Sequence, residues 1–593
     1  MIGNRYKVYW KKGWISALII LGAFTYLLNI SWLKWGSLLI DTGRELCVPW
    51  RLLSGDLLYK DIFYEFGPFA PYLNALLCMI FGVHLRSFII GGILTVALMC
   101  FLIYKLSRIF LTPIFSTLSV LTFLFVFAFN QHYEAGIFNY IIPYSYASIY
   151  SMLFACAALF FYSRSLLKGK RGSIYLCGFL TLLTLVTRIE IGIMLIVSIL
   201  TGIILDSRRG KRSKMICIYS LFPVIVAGLI YGLFAIMTRG AAHHIVDTNT
   251  LLINVDIRGP LTGNTLGTND FWNNIAAILK TALYYTGISV VFFIAGWVLF
   301  LIRKLGLIKK GLLSIGAVAL AVGIVILFQR KFFPYYLQYR CAPIICIVLF
   351  IIAYRGSSAG MDQKRSLFLM AFSVFSVLTM TRMLFAVKAE HSGFYLLVPG
   401  MLCYYFFFLK VIPEIFTKTQ MRAFYGFAFA ILSAAFIITP TTFSFYMYKY
   451  RTLEISSPRG TMRVRPGYYR CKQLLDYLNE KTGPSATLVV FPEGSTLNFL
   501  SARVNPLHQH SYLPLWFSDP DNEEEVINGL EDNDVTYVAI VRRDTSDYGA
   551  ARFGIDYAQG IMSYLANHYV SEKQFGPWPF TSNEFSLVLL KRQ

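Results

Sequence analysis

"LLIDTGRELCVPWRLLSGDLLYKDIFYEFGPFAPYLNALL", residues Leu38 to Leu77, follows the first long apolar stretch of the chain and carries five carboxylates: Asp41, Glu45, Asp56, Asp61 and Glu65. Such a gathering is unexpected in a 593-residue chain whose formal net charge is +23. Its surroundings give the first clue. The chain is 56% hydrophobic and only 14% charged, whereas soluble domains are about a quarter charged. Apolar runs of about 20 residues, enough to cross ~30 Å of hydrocarbon, recur from Trp14 to Met447. The carboxylates therefore sit in a loop of a polytopic membrane protein.

Thirteen spans are expected, at 14–33, 86–104, 112–129, 143–163, 173–187, 190–206, 215–238, 276–302, 311–328, 335–354, 366–386, 394–410 and 423–447. The first has a basic front (Arg5, Lys7, Lys11, Lys12) but no small-residue cleavage site after it, so it reads as a retained helix. If the spans alternate, Arg5–Lys12, Lys105/Arg108, Arg164–Arg171, Arg208–Lys214, Arg303–Lys310, Arg355–Arg365 and Lys410–Arg422 all fall on one side. Lys and Arg mark the cytoplasmic side. The chain is thus expected to cross its membrane many times, with loop 34–85 and the C-terminal region outside. Because the basic residues are short clusters between spans, the positive charge reads as orientation in a bilayer, and nucleic acid is not an expected partner.

Past Lys449 the composition becomes that of a soluble domain. Residues 451–593 hold 14 Lys and Arg against 17 Asp and Glu, which leaves 40 against 14 for residues 1–450. "YRCKQLLDYLNEKTG" is an amphipathic helix with Leu474, Leu475 and Leu478 on one face and a Gly stop. "ATLVVF", "VTYVAIV" and "FSLVLL" read as strands, with helices near 522–532 and 555–568 between them. The expected organisation is a transmembrane domain over 1–450 and an α/β domain over 451–593. The ten cysteines are scattered, with no CxxC pair, no metal framework and no evident disulfide scheme.

Asp41 comes at the outer end of the first span, and Glu45 lies four residues on, which places both carboxylates on one face of any helix there. A desolvated carboxylate with a raised pKa can serve as a general base. An acid that merely ends a helix is the plain alternative. Beyond it, "SGDLLYKDIFYEFGPFAPYLNALLCMIFG" is spaced for short helices on the membrane surface, interrupted at Gly67–Pro68.

The run D-T-G-R-E…P-W-R-L-L-S-G-D-L-L-Y-K-D-I-F-Y-E-F-G-P-F-A-P-Y-L-N-A-L…F-G resembles the first extracytoplasmic loop of GT-C-fold membrane glycosyltransferases. That superfamily includes protein O-mannosyltransferases and the aminoarabinose transferase of lipid A. The match is dense over about 45 residues and loose elsewhere. The resemblance implies an inverting transferase that takes a sugar from a polyprenyl phosphate or diphosphate and gives it to a glycan, lipid or protein. It implies an acid in the first outer loop as catalytic base, which Asp41 matches, with Glu45 as helper. It also implies an acid in the second outer loop, for which Glu134 in "NQHYEAGIFNY" is the candidate. Some relatives use a divalent metal through such acids; nothing in this sequence requires a cofactor, and a divalent metal remains open.

A lipid phosphate needs cations as it leaves. Arg340 and Lys331 in "FQRKFFPYYLQYR", and Arg382, Lys388 and His391 in "TRMLFAVKAEHSGFY", are the candidates outside the basic clusters. Snorkelling to lipid headgroups is the competing reading. Arg188 beside Glu190 is either a phosphate site or a structural ion pair. Tyr59 and Tyr64 are placed to stack on a sugar or to join an interfacial aromatic belt, and Asp61 to shape the loop. Glu493 in "FPEGSTLNFLSARVNP" is either an acceptor contact or a turn residue. Two other function classes compete: a flippase or transporter for a lipid-linked saccharide, and a non-catalytic scaffold of envelope assembly. The absence of an internal repeat and the placement of ionisable residues at span ends speak against a transporter.

Overall fold

The computed structural model describes residues 2–131, 138–170, 172–207, 213–238, 271–304, 322–323, 338–355, 362–382, 393–416, 419–519 and 521–593. Among these, eight helices are long and apolar enough to cross a membrane: Gly13–Ile30, Leu85–Ser107, Tyr146–Lys168, Ile189–Asp206, Phe271–Val298, Gln363–Thr381, Phe394–Ile415 and Thr419–Lys449. Shorter helices, Pro113–Ala128, Gly172–Thr187, Phe222–Met237 and Ala342–Arg355, stand at four further positions where spans are expected. The segment expected at 311–328 lies outside the described residues, apart from 322–323. The chain is a multi-pass helical membrane protein, with eight candidate spans among the described residues and a C-terminal α/β region. Its apolar residues face both ways, as a bilayer requires: Leu229, Leu283 and Ile438 lie open on the helix exteriors, while Phe372, Tyr404 and Phe429 fill the interior.

The first helix, α1 (Ile2–Ile30), leads into the acidic loop. There α2 (Thr42–Leu53) and α3 (Phe69–Phe81) form, separated by an irregular stretch that ends at Gly67–Pro68. Proline at position 68 lacks the N–H of a continuing helix and so suits the start of α3. Leu76, Met79 and Ile80 of α3 are exposed, an apolar face of the kind that rests on lipid.

The C-terminal region opens with an antiparallel hairpin, β1 (Leu453–Ser457) and β2 (Gly460–Val464). A four-stranded sheet follows, built from β3 (Leu488–Phe491), β4 (Tyr537–Val541), β5 (Tyr569–Phe575) and β6 (Leu587–Arg592) in the order β3-β4-β6-β5. β3 and β4 run parallel; β6 is antiparallel to both its neighbours. The three expected strands correspond to β3, β4 and β6. β5 escapes sequence reading because it is solvent-facing and buries only its two ends, Tyr569 and Phe575; the hairpin strands are only five residues each, and bury Ile455, Met462 and Val464 on one face. The amphipathic helix forms at Tyr469–Lys481 with Leu474, Leu475 and Leu478 buried. The other two expected helices form at Asp521–Asp532 and Gln559–His568.

The C-terminal region is seated on the acidic loop. Trp50 of α2 packs edge-on against Phe499, and Arg459 lies 4.1 Å over the Trp50 ring. Thr496 Oγ1 donates to the Ser37 carbonyl at 2.8 Å, and Arg451 Nη1 donates to the Gly36 carbonyl at 2.8 Å. The approach is closest at Gly43, where a β-carbon would stand 2.2 Å from the Thr496 nitrogen.

Candidate functional site

Residues 37–42 fold into a tight turn before α2. The Ser37 hydroxyl accepts from the Leu39 and Ile40 amides, and the Thr42 hydroxyl accepts from the Ser37 amide at 2.9 Å. These bonds leave Asp41 at the helix entrance with φ +52°. That region is sparsely populated for residues with a side chain, and Asp and Asn tolerate positive φ best. Strained backbone of this kind persists where neighbours hold it. Here they do: the Asp41 amide donates to Glu493 Oε1 of the C-terminal region at 3.1 Å.

The Asp41 carboxylate lines a small cavity of about 50 Å³, together with Glu65, Glu493, Ser495, His510 and Trp516. Its principal cation is Arg44. One guanidinium nitrogen, Nη1, stands 3.5 Å from Asp41 Oδ1 and 2.6 Å from Glu65 Oε1, while Nε stands 3.1 Å from Glu45 Oε1. Nη2 donates to the Tyr144 carbonyl at 2.7 Å. A second cation, Arg543, has its Nε 3.5 Å from Glu493 Oε2.

Burial sets the electrostatics. Desolvation pushes the Asp41 carboxyl up from its ordinary value, Glu65 adds to the rise, and Arg44 and Arg543 oppose it. Glu493 is pushed up to about 7 by burial first and by Asp41 second, again against Arg543. Glu45 also rises to about 7, mainly through burial, although Arg44 and the Tyr146 amide favour its charged form. A carboxylate made more basic in this way is a better proton acceptor near neutral pH.

The remaining expected residues separate into three groups. Glu45 is 2% exposed and does not line the Asp41 cavity; it accepts the Tyr146 amide at 2.8 Å, at the start of helix Tyr146–Lys168. Tyr59 is buried and donates to the Phe66 carbonyl at 2.7 Å. Asp61 accepts the Leu57 amide at 2.8 Å and borders a larger, open cavity of about 690 Å³ shared with Arg51 and Asp56. Tyr64 is buried edge-on to Phe66. All these hold the loop in shape.

The second group is cationic, and Arg188 and Arg382 in it reach the surroundings of Asp41 through Phe66. Arg188 Nε pairs with Glu190 Oε1 at 2.9 Å, and Arg382 Nε reaches the same oxygen at 3.2 Å. Arg188 Nη1 also donates to the Ser148 and Tyr395 hydroxyls at 2.5 and 2.7 Å. Phe66 lies between the two halves of the network, 4.2 Å from the Arg188 guanidinium and 5.4 Å from that of Arg44. Arg340 stands in the 3₁₀ turn Gln338–Cys341 that enters helix Ala342–Arg355. The third group, Glu134, Lys331, Lys388 and His391, lies outside the described residues.

Arg44, Arg543 and His510 are the site residues that sequence reasoning passes over. Topology carries a signal for one of them. Glu493 follows β3 and Arg543 follows β4, so the pair emerges from the carboxyl ends of two adjacent parallel strands, where α/β sheets place ligand-binding groups. Among the described residues no three of His, Cys, Asp or Glu converge in a way that would hold a metal ion. Asp41, Glu65 and Glu493 face guanidinium groups instead.

No family model matches the sequence, and no curated protein matches it. Solved structures do resemble the chain. One is the oligosaccharyltransferase AglB of Archaeoglobus fulgidus in complex with an inhibitory peptide and a dolichol-phosphate, at TM-score 0.44 and 13% identity over 90% of this chain and 70% of that one. The Archaeoglobus fulgidus oligosaccharyltransferase tethered to an acceptor peptide gives 0.48 and 14%, over 96% and 74%. ArnT from Cupriavidus metallidurans bound to undecaprenyl phosphate gives 0.41 and 11%, over 97% and 98%. The chain is thus similar in structure to these GT-C glycosyltransferases over nearly its whole length, at low sequence identity.

Proposed function

We infer that this chain is an inverting membrane glycosyltransferase that moves a sugar from a polyprenyl-phosphate or -diphosphate carrier to a glycan, lipid or protein acceptor. It would do so at the outer face of a bacterial cytoplasmic membrane, with thirteen spans and the C-terminal region outside. The observation that carries this reading is the setting of Asp41. Eleven residues past the first span, it lines a cavity between Arg44 and Glu493, desolvated enough to be basic and linked through Phe66 to the Arg188–Glu190–Arg382 cluster.

In this scheme the acceptor hydroxyl gives its proton to Asp41 as its oxygen bonds to the anomeric carbon. The bond from that carbon to the carrier's phosphate oxygen breaks, and the phosphate leaves with the electron pair. Arg382 and Arg188 supply positive charge for the leaving phosphate, an effect worth several kcal/mol where water is excluded. Arg44 holds the Asp41 carboxylate, and Glu493 holds its backbone.

The test is transfer of labelled sugar from an undecaprenyl-phosphate donor to envelope material, catalysed by the full chain in nanodiscs. Asp41→Asn keeps the shape and removes the base, so transfer should fall about a hundred- to ten-thousandfold while the melting temperature stays near that of the parent. Substantial retained transfer sinks the assignment.

A further inference from the structure

Two guanidinium groups approach one aromatic ring. Arg44 stands 5.4 Å and Arg188 4.2 Å from the centroid of Phe66, a half-buried side chain. The scheme above uses both arginines and gives the ring between them no task. Its backbone is pinned to the segment that carries Arg188. The Gly67 amide donates to the Thr187 carbonyl at 3.1 Å, and Gly67 leaves no room for a β-carbon against the Val186 carbonyl. The Phe66 carbonyl accepts from the Tyr59 hydroxyl at 2.7 Å, and Tyr64 meets the ring edge-on. Tyr144 makes a second tie between the arginines. Its carbonyl accepts from Arg44 Nη2 at 2.7 Å, and its hydroxyl accepts from Arg188 Nη1 at 3.4 Å.

The two arginines stand in opposite surroundings. Arg44 faces Asp41, Glu45 and Glu65, an excess of carboxylates. Arg188 and Arg382 share Glu190, an excess of cations among the described residues. Opposite charges attract strongly where water is scarce, so two such clusters side by side tend to merge. If Glu65 turned to Arg188, the phosphate side would lose charge and Arg44 would lose a partner that holds it beside Asp41. Displacement with inversion needs the two sides kept distinct, because the acceptor hydroxyl and the leaving phosphate lie on opposite faces of the anomeric carbon. An aliphatic side chain would separate the clusters but offer a cation nothing. The negative face of an aromatic ring attracts a guanidinium and leaves its charge in place.

We propose that Phe66 is a positioning residue for transfer: its ring holds the Arg44 guanidinium toward Asp41 and the Arg188 guanidinium toward the leaving phosphate, and it keeps the carboxylates of one side from pairing with the cations of the other. This rests on the glycosyltransferase reading and goes beyond it, since it makes the aromatic character of position 66 a requirement of both halves of the site.

The full chain in nanodiscs, with mono-, di- and trifluorinated phenylalanine placed in turn at position 66, tests it. Fluorine drains the negative face of the ring and leaves its shape nearly unchanged, so attraction to a cation weakens step by step. Two quantities are read: affinity for undecaprenyl phosphate, and kcat in the transfer assay. Both should fall with each fluorine, by about tenfold in all, while the acceptor KM stays at the parent value. Phe66→Leu should show the same loss, and Phe66→Tyr should behave as the parent.

A flat series, or one in which only the melting temperature moves, makes the ring a packing group and overturns the proposal. A fall in affinity alone, or in kcat alone, means that the ring serves a single arginine, and overturns it too. Asp41→Asn separates the two readings. If that variant still transfers sugar, the glycosyltransferase scheme itself fails. If it is dead while the fluorinated series is flat, only the role of Phe66 fails.

Discussion

Glu493 Oε1 accepts the backbone amide of Asp41 at 3.1 Å, joining two residues 452 positions apart. Neither element would hold the site alone. The turn at 37–42 places Asp41 in a strained conformation, and the loop after β3 supplies the acceptor that satisfies its amide. Glu493→Gln keeps an acceptor oxygen and should retain most transfer activity. Glu493→Ala leaves the Asp41 amide unsatisfied and should lower kcat about tenfold or more, given about 1–3 kcal/mol for an orphaned buried group. Equal rates for the two variants in the transfer assay would show that the bond does not position Asp41.

Arg44 serves three carboxylates at once, Asp41, Glu45 and Glu65. Arg44→Ala strands them together, and removal of one partner of a buried pair costs about 3–5 kcal/mol. Lys cannot reproduce the guanidinium fork. Both Arg44→Ala and Arg44→Lys should therefore express poorly and melt early, with Ala the worse. Chromatographic monodispersity and thermal melting check this; a parent-like melt for Arg44→Lys would mean the fork geometry is dispensable.

Stability should depend on pH with a definite sign. Burial raises Glu45 and Glu493 to about 7 in the folded chain from 4.5 when unfolded. Between those values the folded state holds protons that the unfolded state has released. Where the native state binds more protons, stability falls as pH rises. The contribution is thus full below about 4.5, declines across the window up to about 7, and is level above it. The melting temperature at pH 6 should exceed that at pH 8, and Glu45→Gln should flatten the slope. A slope of the opposite sign would mean that Arg44 and Arg543 keep both groups ionised.

Arg188 and Arg382 share Glu190 but differ in burial: the Arg188 side chain is 2% exposed and that of Arg382 is 25% exposed. Arg188→Gln should unsettle the fold, because its partners include Ser148, Tyr395 and Phe66 as well as Glu190. Arg382→Gln should fold normally and raise the donor KM about tenfold, the loss of roughly one charge-assisted contact. If the donor KM is unchanged in Arg382→Gln, the cluster is a structural ion pair and the phosphate is held elsewhere.

These contrasts also mark how far the sequence could be read. The spans are legible because hydrocarbon demands a long apolar run, and the acidic loop because its charge breaks the local pattern. Asp41 stands out as an acid just beyond a span. Arg44, Arg543 and His510 do not, because they look like ordinary polar residues, and Glu493, though noticed as a residue that follows a strand, gives no sign of its pairing with Asp41 until a fold brings together two positions 452 apart. Glu45 is the converse case. Its spacing from Asp41 suggests a shared face, but α2 begins at Thr42 and turns Glu45 toward the Tyr146 amide.

Gly43 offers the sharpest test that this long-range assembly makes the site. It sits in the first turn of α2, where its α-carbon approaches the Ser495–Thr496 backbone. A β-carbon there would lie 2.2 Å from the Thr496 nitrogen and 2.3 Å from the Ser495 carbonyl carbon. Backbone cannot swing aside as a side chain can, so Gly43→Ala must separate α2 from the loop that carries Glu493. Such overpacking costs about 1–3 kcal/mol. Its functional effect should be larger than its thermal one, because the displacement pulls Asp41 away from Glu493 and widens the cavity. Gly22→Ala in α1, where a β-carbon meets nothing within 4 Å, is the matched control and should leave both stability and transfer unchanged. Gly43→Ala should lower transfer at least tenfold at a temperature where it remains fully folded by tryptophan fluorescence, for a loss of about 1.4 kcal/mol in transition-state stabilisation. Parent-like transfer in Gly43→Ala would show that the catalytic geometry does not depend on the contact between α2 and the C-terminal region.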